Sequence, residues 1–357
     1  MENIERYLEK IFEEAILKEA SDIHFSVGRK PTLRIEGKLS PLEEYSPLLP
    51  KDTEKIALFL LSEKKKEILF SKKAVDFSYS FRKKIRFRGN AYFQQEVISV
   101  ALRIIPSRIR TIEELNLPPL LHRFANLEQG FVLITGPAGH GKSTTLAALI
   151  DEINHKRADH IITIEDPIEY TFYQDKSIVD QREVGRDTQS FIFGLREALR
   201  QDPDVIMVGE MRDYESISIA LRAAETGHLV FSTLHTNSAS QTIDRIIDVF
   251  PAEQQEQVRA QLASTLRGIV SLRLLRKISG GRIPACEVLI ANPAVSAVIR
   301  EKRTHEIDMI ISTSREEGMQ SLNHSLANLV KKKEISFEEA LRYSLRQKEL
   351  RLLLGKM

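Results

Sequence analysis

The run Gly136-Pro137-Ala138-Gly139-His140-Gly141-Lys142-Ser143-Thr144 gathers the residue types that a polyphosphate needs. Glycines let main-chain N–H groups turn inward around an anion. A helix beginning near Lys142 adds the positive end of its dipole. The run fits G-x-x-x-x-G-K-[ST] in full, and the apolar stretch 131–135 enters it as a strand. Lys142 is then placed to reach the β- and γ-phosphates of ATP, and the Ser143 hydroxyl to hold Mg²⁺. A glycine-rich turn that matches by chance is the competing reading, and it does not account for both flanks.

Two acid-bearing segments follow. Asp204-Val-Ile-Met-Val-Gly-Glu210 is an apolar strand ending in a carboxylate. In phosphate-loop folds such a strand ends beside the γ-phosphate, so Glu210 is the candidate general base and a candidate for the Mg²⁺ shell. Asp204 opens the strand and reads as a strand-start residue. Ile164-Glu165-Asp166-Pro167-Ile168-Glu169 closes another strand with clustered acids, and Glu169 is the one read as functional, against a solvated acidic loop. His228 and His235 bracket LVFSTL and, seven apart, face opposite sides of a continuous strand. One is a candidate γ-phosphate sensor and the other a candidate interface residue. A histidine taken alone is more often a satisfied structural group.

Phosphoryl transfer builds charge on the γ-phosphate oxygens, and an arginine supplied by a neighbour raises such rates roughly 10³–10⁵-fold. Arg82, Lys83 and Lys84 read as turn residues of a solvated basic hairpin. Arg88 and Arg103 lie within adjacent predicted strands and project together from one sheet face. Phe87, Tyr92 and Phe93 interleave with this patch. The whole chain nevertheless carries 52 basic against 50 acidic residues, a net charge of +2, which argues against nucleic acid as a partner.

These residues need elements to position them. Ile4, Tyr7, Leu8, Ile11, Phe12, Ala15 and Ile16 recur at helical steps and predict an opening helix with one buried face. Leu33, Ile35 and Leu39 predict one strand around Gly37. Val75, Phe77, Tyr79 and Phe81 predict another, then Ile85 with Phe87, then Val100, Leu102 and Ile104, with a helix over about 53–70 between them. Residues 1–105 thus read as an α+β domain with an antiparallel sheet, and 106–120, bracketed by Pro106, Pro118 and Pro119, as an interdomain linker. Over 121–291 compact β-branched runs alternate with helices at 142–154, 188–201 and 212–226. That is the texture of a parallel sheet covered on both faces, a RecA-like α/β core. Residues 292–357 read as a small helical region.

With 357 residues there is room for two separate cores, and 42% hydrophobic with 29% charged residues is the balance of an ordinary soluble chain. The single Cys286 rules out an internal disulfide and permits a cytoplasmic setting. The lack of a Cys-x-x-Cys pair argues against structural zinc. The opening MENIERYLEK is too charged for a secretion signal, and no apolar run approaches a membrane span.

The order of blocks resembles the type II and type IV secretion ATPases, and within them the pilus retraction (PilT-like) ATPases. ASDIHFSVGRKPTLRIEGKL is similar to that family's opening motif, IRFRGN and ALRIIPS to its arginine-finger segments, and GPAGHGKSTT to its Walker A. TIEDPIEY is similar to its Asp box, LRQDPDVIMVGEMRD to its Walker B and AETGHLVFSTLHT to its His box. The resemblance implies a PAS-like first domain, Glu210 as catalytic glutamate, Glu169 as a second acid near the metal, and His228 with His235 as the His-box pair. It makes Arg88 and Arg103 the arginine fingers. It also implies a homohexameric cytoplasmic ATPase that holds ATP and Mg²⁺, acts on an inner-membrane platform protein through partner contacts, and drives pilus retraction and twitching motility. Assembly relatives carry a long extra N-terminal domain and a tetracysteine zinc insert that this sequence lacks. Family retraction motors show a segment like AIRNLIRE, where this chain has AVSAVIRE with Ser296 at the first arginine position. The alternatives are a pilus-assembly, type II secretion or DNA-uptake motor, a nucleic-acid translocase on the same core, and a nucleotide-gated scaffold with little turnover.

Overall fold

A computed structural model describes residues 3–35, 37–82, 85–105 and 108–355. Its chain divides into two compact units, Met1–Arg108 with Glu169–Thr171, and Ile109–Ile168 with Phe172–Met357.

In the first unit the helical spacing of the opening residues produces a helix, Ile4–Leu17, that buries Leu8, Ile11, Phe12 and Ala15. Ile16, expected on that buried face, is more than a third exposed, because it falls at the edge of the apolar stripe. The strands are β1 (Asp22–Phe25), β2 (Thr32–Ile35), β3 (Lys38–Pro41), β4 (Ala74–Phe81), β5 (Ile85–Gln94) and β6 (Val97–Ile105). They form one antiparallel sheet in the order β3-β2-β1-β6-β5-β4. The single strand expected around Gly37 is instead the hairpin β2–β3. Ile35 pairs with Lys38, Gly37 adopts a φ of +83°, and Leu39 is left exposed. The helix expected over 53–70 is two helices, Pro50–Leu60 and Glu63–Lys72, broken where Leu61 turns extended. The core gathers Phe12, Phe25, Phe81, Phe87 and Leu102, with the Phe12 and Phe87 rings 4.4 Å apart. Pro106, Lys83 and Lys84 lie outside the described residues. Ile112 and Leu117, within the segment read as a polar linker, are buried.

In the second unit the strands are β7 (Gly130–Thr135), β8 (His160–Glu165), β9 (Ile178–Glu183), β10 (Val205–Val208), β11 (Leu229–Leu234), β12 (Leu266–Arg276) and β13 (Arg282–Ile290). Their order is β13-β12-β7-β11-β10-β8-β9. All neighbours run parallel except the β12–β13 pair. Every residue of β7, β10 and β11 is buried, as runs such as FVLIT and LVFSTL require when both sheet faces are covered. The helix expected over 188–201 is shorter, Phe191–Ala198, because the Ser190 side chain accepts from Phe193 N and starts it there. The last helices, Leu322–Lys331, Phe337–Tyr343 and Gln347–Leu353, share a core with Leu275, Ile283 and Ala285 of the β12–β13 hairpin.

Candidate nucleotide site

β7 leads directly into the glycine-rich loop, and the helix Lys142–Lys156 leaves it. Gly136, Gly139 and Gly141 adopt φ of +138°, +75° and +91°. The neighbourhood of two of them differs in kind. A Cβ on Gly136 would lie 2.6 Å from Leu272 O of β12, so that position excludes a side chain on packing grounds as well. A Cβ on Gly139 would meet nothing within 4 Å, so there the backbone itself faces open space. Main-chain N–H groups around such a turn, with a helix N-terminus behind them, make an anion cradle.

Lys142 is buried and donates to Gly136 O at 2.9 Å and Pro137 O at 3.0 Å, and its Nζ lies 3.4 Å from His235 Nδ1. His235 follows β11, and its Nε2 is 3.2 Å from Glu210 Oε2. Glu210 follows β10 by two residues, mostly buried, and also pairs with Arg212. One contiguous group therefore joins loop lysine, histidine and carboxylate at the carboxyl end of three parallel strands. Ligands of open α/β sheets bind at that end.

The acid that the sheet brings to the end of β8 is Glu165. It is buried, accepts from Thr163 Oγ1 at 2.7 Å and from Gln181 Nε2 at 3.0 Å, and neighbours the strand that delivers Glu210. Glu169 lies four residues further on, is exposed, and groups with the first unit. Buried Glu183, ending β9, accepts from Ile168 N at 3.2 Å and holds the turn between them.

His228 stands elsewhere. It precedes β11, at the amino end of the sheet, where its Nδ1 meets Ala223 O at 2.9 Å and Thr226 Oγ1 at 3.2 Å. A strand rises about 3.3 Å per residue, so seven residues put it roughly 20 Å from His235. His228 therefore stands at the opposite end of β11 from the Lys142–His235–Glu210 group. The cause is the strand itself, which separates its two ends. Asp204 is at the same end and accepts from His160 N at 2.8 Å, the strand-start role read for it.

In the first unit, Arg88 and Arg103 are directly opposite in the β5–β6 register, so their side chains share one face. Both are exposed, and Arg103 Nε donates to Asp22 Oδ1 at 3.0 Å. Arg82 is a turn residue with a φ of +50°, and it pairs with Glu13 at 2.5 Å and Glu9 at 3.8 Å.

Sequence reasoning missed β12. Thr135 and Ser271 hydroxyls meet at 2.7 Å, and Leu274 N donates to His140 Nδ1 at 3.0 Å. His140 therefore serves as an acceptor, with its proton on Nε2. Burial and then the nearby Arg273, Lys142 and Arg282 hold its pKa below the usual histidine value, which keeps that acceptor available. The signal for β12–β13 was present in two apolar runs around the turn Ser279-Gly280-Gly281.

Comparison with known proteins identifies the family. The family model described as "Type II/IV secretion system protein" matches residues 1–324. The type IV pilus retraction ATPase PilT of Pseudomonas aeruginosa is 45% identical over 321 residues, covering 90% of this chain and 93% of that one. The type IV pilus ATPase PilU of the same organism is 39% identical over 347 residues, covering 97% and 91%. A crystal structure of the pilus retraction motor PilT with bound ADP superposes with a TM-score of 0.89 at 49% identity, covering 96% and 98%. The chain belongs to the type II/IV secretion system protein family, as a PilT-like ATPase.

Proposed function

We propose that the chain hydrolyses ATP as a homohexamer in the cytoplasm and drives retraction of a type IV pilus through an inner-membrane platform protein. The observation that carries the ATPase chemistry is the Lys142–His235–Glu210 group beside the glycine cradle. The pilus assignment rests on the near full-length likeness to PilT.

The residues present suit ATP and Mg²⁺. The loop offers main-chain N–H groups, Lys142 a cation, and Ser143 with Glu210 a hydroxyl and a carboxylate. Mg²⁺ commonly takes one or two such protein oxygens and fills its shell with phosphate and water. Bound there, it supplies charge neutralisation at the phosphates. Glu210 accepts the proton of the attacking water. Lys142 leaves its two loop carbonyls for the phosphates, and His235, in contact with Lys142 and Glu210, reports phosphate occupancy from one to the other. Glu165 supports the acidic end of β8. Glu169, exposed four residues beyond β8, is the second acid that the family resemblance implies near the metal. Arg88 and Arg103, sharing a face, are suited to neutralise charge on a neighbouring subunit's γ-phosphate.

Lys142→Ala should abolish steady-state phosphate release, and a strain carrying it should make pili that do not retract. Unchanged turnover would end the ATPase reading. Normal retraction by a hydrolysis-dead variant would end the pilus reading alone. Ser296 favours a second reading, an accessory motor of the PilU kind. Its hydroxyl donates to Ala263 O at 2.8 Å, at the position where the family resemblance implies an arginine. Restoration of twitching in a strain lacking PilT distinguishes a principal from an accessory motor.

A further inference from the structure

The loop that carries His235 is fastened from outside the catalytic strands. Thr236 Oγ1 meets Thr242 Oγ1 at 2.7 Å, and Asn237 N donates to Gln241 Oε1 at 3.2 Å. Ala239 N donates to Glu287 Oε1, on β13, at 2.7 Å. Between these, Arg273 of β12 donates Nη2 to both Asn237 O and Asn237 Oδ1 at 2.9 Å, and Nη1 to Leu272 O at 2.8 Å.

Arg273 is 4% exposed, and the oxygens it donates to belong to two carbonyls and one amide rather than to a carboxylate. Removing a guanidinium from water costs several kcal/mol, which neutral acceptors offset only in part. Burial accordingly pulls its pKa below the usual arginine value, with Glu287 opposing. An apolar residue would fill a β12 position at lower cost, so packing does not explain a cation here. Its neighbours on β12 touch the phosphate loop directly, Leu272 O against Gly136 and Leu274 N on His140.

We propose that Arg273 is a positioning residue for hydrolysis: through Asn237 it sets the loop from which His235 meets Glu210 and Lys142, in register with the phosphate loop that the same strand holds. This rests on the ATP-site reading above. Nη2 serves both acceptors on Asn237 while Nη1 holds Leu272 O, and the single nitrogen of a lysine can take the Asn237 pair but not Leu272 O as well in the same planar geometry.

The test is steady-state phosphate release by the purified full-length protein with MgATP, for Arg273→Met, Arg273→Lys, Asn237→Ala, His235→Ala and the Arg273→Met/His235→Ala pair, with Lys142→Ala as reference. Arg273→Met should lower kcat about tenfold or more while KM moves less than about threefold, and Arg273→Lys should recover part of the loss. The pair should be less than about threefold worse than the weaker single variant, because both changes disable one device. Asn237→Ala removes an exposed side chain and one acceptor, and should cost about threefold in kcat even if Arg273→Met fails to fold. If Arg273→Met and Asn237→Ala both turn over within about twofold of wild type while Lys142→Ala is inactive, the positioning role is refuted and the ATP site stands. Losses that multiply in the pair likewise overturn it. Turnover by Lys142→Ala would instead bring down the site reading itself.

Discussion

The two ends of the parallel sheet carry the same kinds of side chain and use them differently. At the amino end, His160 donates its N–H to Asp204, its Nδ1 meets Asp202 O at 3.1 Å and its Nε2 meets Asp180 at 3.1 Å, while His228 is spent on Ala223 O. Histidine and carboxylate there close off loops and helix ends. At the carboxyl end, Lys142 holds two carbonyls of its own loop and touches His235, which touches Glu210. These contacts can be exchanged for an anion without exposing a core. Residue type therefore does not mark the site. The direction of the strands does, because parallel strands deliver their following loops, and the helix N-termini after them, to one end.

The contrast breaks most visibly at Glu210. Glu210→Gln keeps the shape and should leave binding of a fluorescent ADP analogue intact, while phosphate release falls by roughly 10²–10⁴, the range for a lost general base. Substantial remaining turnover would remove Glu210 from that role and leave the carboxyl end with binding chemistry only. His235→Ala should cost about 10² in kcat, the scale of losing one preorganised contact to the reacting charge. A loss confined to KM would make His235 a binding residue.

Much of this was legible in the sequence because phosphate binding depends on residues adjacent in the chain. The run 136–144, the strand β10 that leads to Glu210 two residues past its end, and the antiparallel character of the first sheet follow from local spacing, as does the alternation that places Arg88 and Arg103 on one face. What spacing does not reveal is which end of a strand a residue joins once the chain turns. Glu165, the last residue of β8, is the buried acid, whereas Glu169 stood out only as a member of a cluster. Nor does it reveal partners brought from far along the chain. The bond between Leu274 and His140 spans 134 positions. The Gly37 hairpin is hidden in the sequence for the opposite reason. Its turn residue looks like an interruption within one strand, although glycine at positive φ is what a two-residue turn demands.

The carboxyl end should also carry a stability cost. Glu287 is buried against the N-terminus of the helix after His235, and burial pushes its carboxyl up to about 7, with the Ala239 N–H opposing. A carboxyl with a raised folded pKa favours its protonated form in the fold. Its contribution is thus fully present below the unfolded value, near 4.5, and is lost as pH rises through about 7. Stability should fall by about 1–3 kcal/mol across that window, and Glu287→Gln, which keeps an acceptor for Ala239 N, should flatten the fall. Urea unfolding midpoints of the two proteins across that range provide the check, and parallel pH profiles would show that Glu287 is not the source.

The smallest effect sharpens the comparison from the other side. His228→Ala removes a bond that closes the end of helix Tyr214–Glu225, which should cost about 1 kcal/mol of unfolding free energy. Its kcat should stay within about threefold of wild type, since nothing at the carboxyl end depends on that bond. Paired with His235→Ala, the two losses should act on different quantities, one on stability and the other on turnover, and should add without coupling across roughly 20 Å. A tenfold drop in kcat for His228→Ala at unchanged stability would mean that the amino end enters the reaction. Within one chain His228 stands at the opposite end of β11 from the phosphate loop, so that result would assign it to a site completed by a neighbouring subunit.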